Sequence, residues 1–429
     1  MGCDPAGPCD EDPDPTTDDP VTRRVHAALD RLAGDMSRLG IALSGGGDST
    51  ALLHLAQGWA RGRCLMAATI DHGLRPESTA EAAEAGRAAT ALGIDHATLS
   101  WQRGPASGNL MAAARDARLR LLSDWAAQNR LDAVLLGHTL DDQAETVLMR
   151  LARGAGVDGL AGMSASRRAH GTVWLRPMLA VSRAELRDWL TARGIGWVDD
   201  PSNENADYDR VRIRKAVEAL GLPAAQIAQS AANLASARDA LQDVAAAAAS
   251  GAEIRNGSLY LPWTPFRRAP QEVRRRLIVA GLRLVGGADY PPRREAVLRA
   301  LTAILTGARA TLEGAIAEPA GDWLRIMREP VAAARGAPGV PDAQGECRWD
   351  GRWLLSGLCA EQQVRALGYD PLPGLKWRLS GLARDEAAAS PGIWKGAQLI
   401  AAPLLESRAE MTARPLAGVP EFMALLYTH

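Results

Sequence analysis

No stretch of this 429-residue chain stays apolar for the ~18–20 residues that a bilayer-spanning helix needs. The chain does not open on a basic-then-apolar leader either: it begins Met1-Gly2-Cys3-Asp4-Pro5. The reading is therefore a cytoplasmic protein with no membrane partner. A lipidation motif would need Ser or Thr at position 6, where Ala6 stands. Cysteine is sparse, with five residues at 3, 9, 64, 347 and 359, which excludes a disulfide-stapled scaffold. Lysine is nearly missing: only Lys215, Lys376 and Lys395 accompany 46 arginines. An Ala-rich, GC-biased background explains such a ratio. So does a surface that grips phosphates, because Arg binds them bidentately.

The net charge of −1 excludes less than it first suggests. Residues 1–20 hold seven acids and no base, are Pro-rich, and have almost nothing to bury, so they are expected to be a disordered acidic tail. The remainder, 21–429, carries +6. Residues 260–330 alone carry +5, with Arg267-Arg268 and Arg274-Arg275-Arg276 close enough to form a stripe beside Trp263 and Phe266. Either a solvated face or a nucleic-acid contact produces such a run.

From about 21 to 220 the pattern alternates strand and helix. Apolar strands are expected at 41–44, 64–70, 94–101 and 133–137, with a weaker one at 173–176. Helices are expected at 50–57, 77–92, 112–128 and 142–153. Strands without polar alternation are buried on both faces, which implies a parallel five-stranded sheet with helices on each side, an α/β Rossmann-like unit. Ligands of such sheets bind at the carboxyl ends of the strands. A boundary is expected at Gly221-Leu222-Pro223. It is followed by a mostly helical, basic domain (224–332), a Pro/Gly-rich linker, and a small α+β accessory domain (346–429).

Strand one runs into Ser44-Gly45-Gly46-Gly47-Asp48-Ser49-Thr50 and then a helix. Three glycines let successive N–H groups turn inward as an anion nest, and the helix N-terminus adds to it. No Gly-Lys-Ser/Thr closes the loop, so it is not a Walker loop, and it is not a G-x-G-x-x-G turn. Asp48 would repel a phosphate unless a divalent cation such as Mg²⁺ lay between them.

The loop resembles the SGGxDS signature of the PP-loop ATP pyrophosphatases. Three further segments sharpen the resemblance: Ile70-Asp71-His72-Gly73, then Gly137-His138-Thr139-Leu140-Asp141-Asp142-Gln143-Ala144-Glu145-Thr146, then Asp199-Asp200-Pro201-Ser202-Asn203 with Arg210-Val211-Arg212-Ile213-Arg214-Lys215. In this order they are similar to the tRNA(Ile)-lysidine synthases, closely over about 40–215 and more weakly to about 330. The resemblance implies an adenine nucleotide alpha hydrolase-like fold. It implies a ligase that uses ATP and Mg²⁺ to join lysine to C2 of the wobble cytidine of tRNA(Ile) with a CAU anticodon, through an adenylated cytidine, releasing AMP and pyrophosphate. A homodimer is compatible with it.

By the same resemblance, Ser44, Gly45, Gly46, Gly47, Asp48, Ser49, Ile70, His72, Gly137 and His138 bind ATP, and Asp48 holds the metal. Asp142 and Glu145, three apart on one helix face, hold the lysine ammonium. Arg210 and Arg212 act on the reacting nucleotide. Arg115, Arg214, Lys215 and the arginines at 267, 268 and 274–276 contact tRNA. Two positions depart from the family pattern: Val211 stands where Asn is common, and Met111 where an acid is. A tRNA 2-thiolation enzyme would need a cysteine pair, and no C-x-x-C exists here. A non-catalytic nucleotide sensor would not need the carboxylate pair and the Arg run together.

Overall fold

The structure, a computed structural model, describes residues 19–427 apart from 72, 74–77, 102–109, 199–208, 289 and 407–409; the side chains of 110–116, 209–211 and 218 are also outside the description. The chain divides into two compact units at Ser236/Ala237. Among the described residues no helix is long and apolar enough to cross a membrane.

The first unit opens on α1 (Pro20–Ala33). Its N-cap is Asp19, whose carboxylate accepts from the backbone of Val21 and Thr22, from Trp189 Nε1 at 3.1 Å and from Arg193 Nη2 at 2.7 Å. Asp19 and Pro20 therefore belong to the folded body, which corrects the expected tail of 1–20 at its last two positions. Four bonds and a helix start outweigh the polar composition of the stretch. The rest of that tail lies outside the described residues.

The elements then alternate: β1 (Arg38–Ala42), α2 (Gly47–Trp59), β2 (Cys64–Asp71), α3 (Ser78–Ala91), β3 (Asp95–Ser100), α4 (Leu110–Gln128), β4 (Ala133–Leu135), α5 (Leu140–Leu151), the short α6 (Val157–Leu160), β5 (Ser166–Ala169), β6 (Thr172–Leu175), α7 (Arg183–Thr191) and α8 (Asp209–Ala219). They form one sheet in the order β3-β2-β1-β4-β6-β5. All pairings are parallel except β5 with β6, so the expected five-stranded parallel sheet gains a sixth, antiparallel edge strand. β5 carries no apolar signal because Ser166–Ala169 is polar and largely exposed, as an edge strand can be. Leu39, Ile41, Ala67, Val134 and Leu135 are fully buried at the sheet centre, which is why their strands read as unbroken apolar runs.

Strand order reverses between β1 and β4: the chain proceeds from β1 to β2 and β3 on one side, then returns to β4 on the other. The loops leaving the carboxyl ends of β1 and β4 thus diverge and open a crevice, the place where such sheets bind ligands.

The division between units falls inside α9 (Ala224–Ala248). The second unit carries a five-stranded antiparallel sheet, β7-β8-β11-β10-β9, made of β7 (Glu253–Arg255), β8 (Ser258–Pro262), β9 (Ala310–Leu312), β10 (Ala315–Ala320) and β11 (Trp323–Arg328). Helices α10 (Trp263–Arg268), α11 (Gln271–Gly286) and α12 (Arg294–Leu305) pack on it through Phe266, Val273, Leu277, Ile278 and Val297. After α13 (Pro330–Arg335) come two three-stranded sheets. One holds β12 (Cys347–Trp349), β13 (Trp353–Ser356) and β17 (Thr412–Pro415); the other holds β14 (Gln363–Ala366), β15 (Pro391–Lys395) and β16 (Gln398–Ala401), with α14 (Arg384–Ala389) leading into β15. The last helix, α15 (Val419–Tyr427), returns to the five-stranded sheet's core, burying Phe422 and Leu426 there.

Candidate active site

The loop after β1 is built as a backbone cradle. Gly45 sits at φ +83°, a left-handed conformation that glycine adopts without strain. Gly46 caps α2, and no side chain fills that cap, so the first N–H groups of α2 stay available to a ligand. The hydroxyls hold the cradle together. Ser44 N donates to Ser49 Oγ (3.1 Å), Ser44 Oγ meets Ser49 Oγ at 3.0 Å, and Ser49 Oγ donates to Gly46 O (2.9 Å). Thr50 Oγ1 donates to Gly45 O at 3.3 Å, and Val198 N to the same oxygen at 3.0 Å.

Gly137, just past β4, faces the loop at closest range. A Cβ there would lie 3.2 Å from Ser49 N and Cα, so any larger residue would have to push this strand end a few tenths of an ångström off the start of α2. Ile70 lies at the carboxyl end of β2, opposite Leu99 of β3. His138 Nδ1 accepts from Arg176 Nε at 3.1 Å, which fixes the ring and leaves Nε2 as the protonated nitrogen of a neutral imidazole. His72 lies outside the described residues.

Thr139 starts α5 with a capping box. Asp142 Oδ2 accepts from Thr139 N (2.9 Å) and Thr139 Oγ1 (3.0 Å), while Asp142 N donates back to Thr139 Oγ1. One carboxylate oxygen of Asp142 is thus committed to the helix start, and Oδ1 faces the site. Glu145, one turn on, is 3% exposed. Its Oε1 accepts from Arg214 Nε at 3.0 Å, whereas Oε2 is buried with no hydrogen-bond partner among the described residues. A buried carboxylate oxygen without a donor is costly, so this atom is built to receive one.

The structure brings in a residue that no sequence motif had marked. Arg183, the first residue of α7, lies 3.3 Å (Nε) from Asp48 Oδ2, 3.4 Å (Nη2) from Asp142 Oδ1 and 3.6 Å (Nη1) from Glu145 Oε1. Its backbone N–H donates to Asp141 Oδ2 at 2.7 Å. Burial opposes the guanidinium charge, yet the carboxylates of Asp142, Asp48 and Glu145 hold its pKa above the ordinary value. Burial pushes the Asp48 carboxyl up; Arg183 opposes the shift and the Asp142 charge reinforces it. The available signal was the capping box Ser182-Arg183-Ala184-Glu185, in which Glu185 Oε2 accepts from Ser182 N at 2.8 Å. It marks a helix start shortly after β6, and so at the same carboxyl edge of the sheet.

Of the basic run, Arg214 is drawn inward onto Glu145, because α8 is helical and packs on α5. Arg212 and Lys215 are exposed. The side chains of Arg115 and Arg210 lie outside the described residues, as does the segment Asp199–Asn203. In the second unit the expected arginine stripe is narrower than its sequence. Glu272 receives Arg275 at 2.6 Å and Arg276 at 3.5 Å, and Arg276 is 5% exposed. Phe266 is core, stacked on the half-buried Trp263 at 5.8 Å, so neither is a free aromatic platform. Arg267 and Arg268 are exposed.

A backbone anion cradle and a carboxylate cluster, set on either side of a strand-order reversal, define an ATP-using PP-loop protein. Residues 18–220 match the PP-loop domain family ATP_bind_3. Over 91% of its length the chain is 45% identical to the tRNA(Ile)-lysidine synthase of Ruegeria pomeroyi, covering 94% of that protein. It is 40% identical to the enzyme of the same name from Methylobacterium nodulans (73% of this chain, 98% of that one) and 37% identical to that from a Bradyrhizobium species (70% and 93%). The chain belongs to the tRNA(Ile)-lysidine synthase family.

Proposed function

We propose that this chain ligates L-lysine to C2 of the wobble cytidine of tRNA(Ile), with ATP cleaved to AMP and pyrophosphate. The support is family membership together with one observation: the buried Glu145 Oε2, without a hydrogen-bond partner among the described residues, beside Asp142 and across the strand reversal from the Ser44–Ser49 cradle. Cytosine O2 is a poor leaving group until it carries AMP. The cradle N–H groups and the α2 N-terminus receive the phosphates and stabilise the charge that develops as pyrophosphate departs. His138 Nε2–H is a donor at the same edge of the sheet.

Asp48 fits a Mg²⁺ ion. It is a single hard-oxygen donor beside a phosphate cradle, and Mg²⁺ commonly takes one or two carboxylates plus substrate phosphates. When bound, the metal neutralises phosphate charge. Asp142 Oδ1 and Glu145 Oε2 orient the lysine ammonium. An amine of pKa ~10.4 is neutral only about one part in 2500 at pH 7, and carboxylates raise that pKa. The pair therefore binds and aims the amine, which loses its proton before attack. Arg210 and Arg212 act on the target nucleotide. Arg115, Lys215, Arg267 and Arg268 contact tRNA, within a catalytic domain at 21–220, a basic domain at 224–332 and an accessory domain at 346–429.

Mass analysis of the anticodon cytidine after incubation with ATP, Mg²⁺, lysine and tRNA tests the reading. The expected outcome is a lysine adduct at the wobble base, with AMP release that depends on both lysine and tRNA. AMP release that needs neither would sink the proposal.

A further inference from the structure

Three carboxylates converge at the mouth of the crevice, and Arg183 touches all three. The reaction proposed above, on which this inference rests, needs two cations there: a metal at Asp48 and an ammonium at Asp142 and Glu145. The guanidinium occupies ground claimed by both. Its reach is loose, at 3.3, 3.4 and 3.6 Å, longer than the ~2.7–2.9 Å of a well-made charge-assisted bond. It also leaves Glu145 Oε2 without a hydrogen-bond partner among the described residues. This is a cation shared among three acceptors and committed to none. By contrast, Arg214 makes a 3.0 Å bond to Glu145 Oε1, the same oxygen that Arg183 reaches only at 3.6 Å.

We propose that Arg183 is a resident counter-cation of the carboxylate cluster: its guanidinium sits among Asp48, Asp142 and Glu145 and withdraws when the substrate ammonium and the metal arrive. Its charge offsets the mutual repulsion of the three carboxylates, a task the arriving cations take over. The cost is competition, because an incoming ammonium must displace a cation that is already bound. The position of Arg183 at the first residue of α7, 19% exposed, leaves its long side chain a path to solvent. Arg183 is thus a positioning residue that acts on lysine through the carboxylates.

The test is lysine binding, measured by calorimetry on the full chain with a non-hydrolysable ATP analogue and Mg²⁺, without tRNA. If the resident ion holds the pocket nine-tenths of the time, the apparent affinity is about tenfold below the intrinsic one. Arg183→Met should therefore lower the lysine Kd about tenfold. Arg183→Gln, which keeps N–H donors for the carboxylates, gives the same readout should the methionine variant not fold. In Arg183→Ala, millimolar methylguanidinium should refill the pocket and raise the lysine Kd, with no such effect in the wild type. A lysine Kd that is unchanged or weaker in folded Met and Gln variants overturns the counter-cation role. Glu145→Gln separates this from failure of the underlying reading. It should raise the lysine Kd more than tenfold; if it does not, lysine does not bind at Glu145, whatever Arg183 does.

Discussion

Asp48 shows how a single residue is placed at a disadvantage for the sake of chemistry. Burial raises its carboxyl pKa, so the folded protein binds a proton there more readily than the unfolded chain does. Stability linked to this group is fully present below the ordinary aspartate value and is lost as pH rises through the raised folded value. Asp48→Asn is therefore expected to raise Tm at pH 7 and to leave it unchanged near pH 3, while abolishing metal-dependent turnover. Thermal melts at the two pH values, with an AMP-release assay, check this. A Tm gain with full activity would mean that Asp48 does not hold the metal. Glu145 Oε2, buried with no hydrogen-bond partner among the described residues, is a second case, on the proposed reading that it receives the lysine ammonium.

At the scale of elements, the site depends on how closely two strand ends approach the start of α2. Gly137 sets one approach: an added Cβ would come within 3.2 Å of the Ser49 backbone. Gly137→Ala should push the β4 end off the cradle, raising the ATP Kd at least tenfold while lysine binding changes little. Nucleotide titration followed by fluorescence measures it, and wild-type ATP affinity would show that the gap can relax. Several elements at this scale were legible in sequence. The PP-loop and the box Thr139–Asp142 are local motifs, with cap and turn chemistry written into adjacent residues. Helix α7 has only a short local sign, the capping-box pattern of Ser182-Arg183-Ala184-Glu185. Strand β5 has none, because its polar residues match an edge strand as well as a loop.

Across the whole molecule, the arginine excess divides into two populations. One is spent internally. Arg275 and Arg276 pair with Glu272, Arg325 pairs with Glu318 and Glu386, and Arg328 and Arg352 pair with Asp350, tying β11 to the C-terminal sheets. The other faces solvent, as Arg267, Arg268, Arg293 and Arg299 do. Only the second can meet a polyanion. Reversing Arg267 and Arg268 to Glu should weaken tRNA binding and flatten its salt dependence, with ATP binding and Tm unaffected. Arg276→Met should instead lower Tm, with little effect on the salt slope beyond the stability loss. Filter binding across a salt series, paired with melting curves, distinguishes the two. If both changes altered the slope equally, burial would be a poor guide to which arginines meet tRNA.

The amino-acid sequence alone determined the α/β class, the glycine loop Ser44–Thr50 and the spacing of Asp142 and Glu145, because each lies in a pattern of neighbouring residues. It determined charge only as a sum, and 46 arginines look alike in a string. Which of them are paired, and that Arg183 reaches Asp48, Asp142 and Glu145 from 135, 41 and 38 residues away, was decided by tertiary structure alone. Such contacts have no local signature. They arise only when the strand order reverses and distant helix starts are brought to one edge of the sheet.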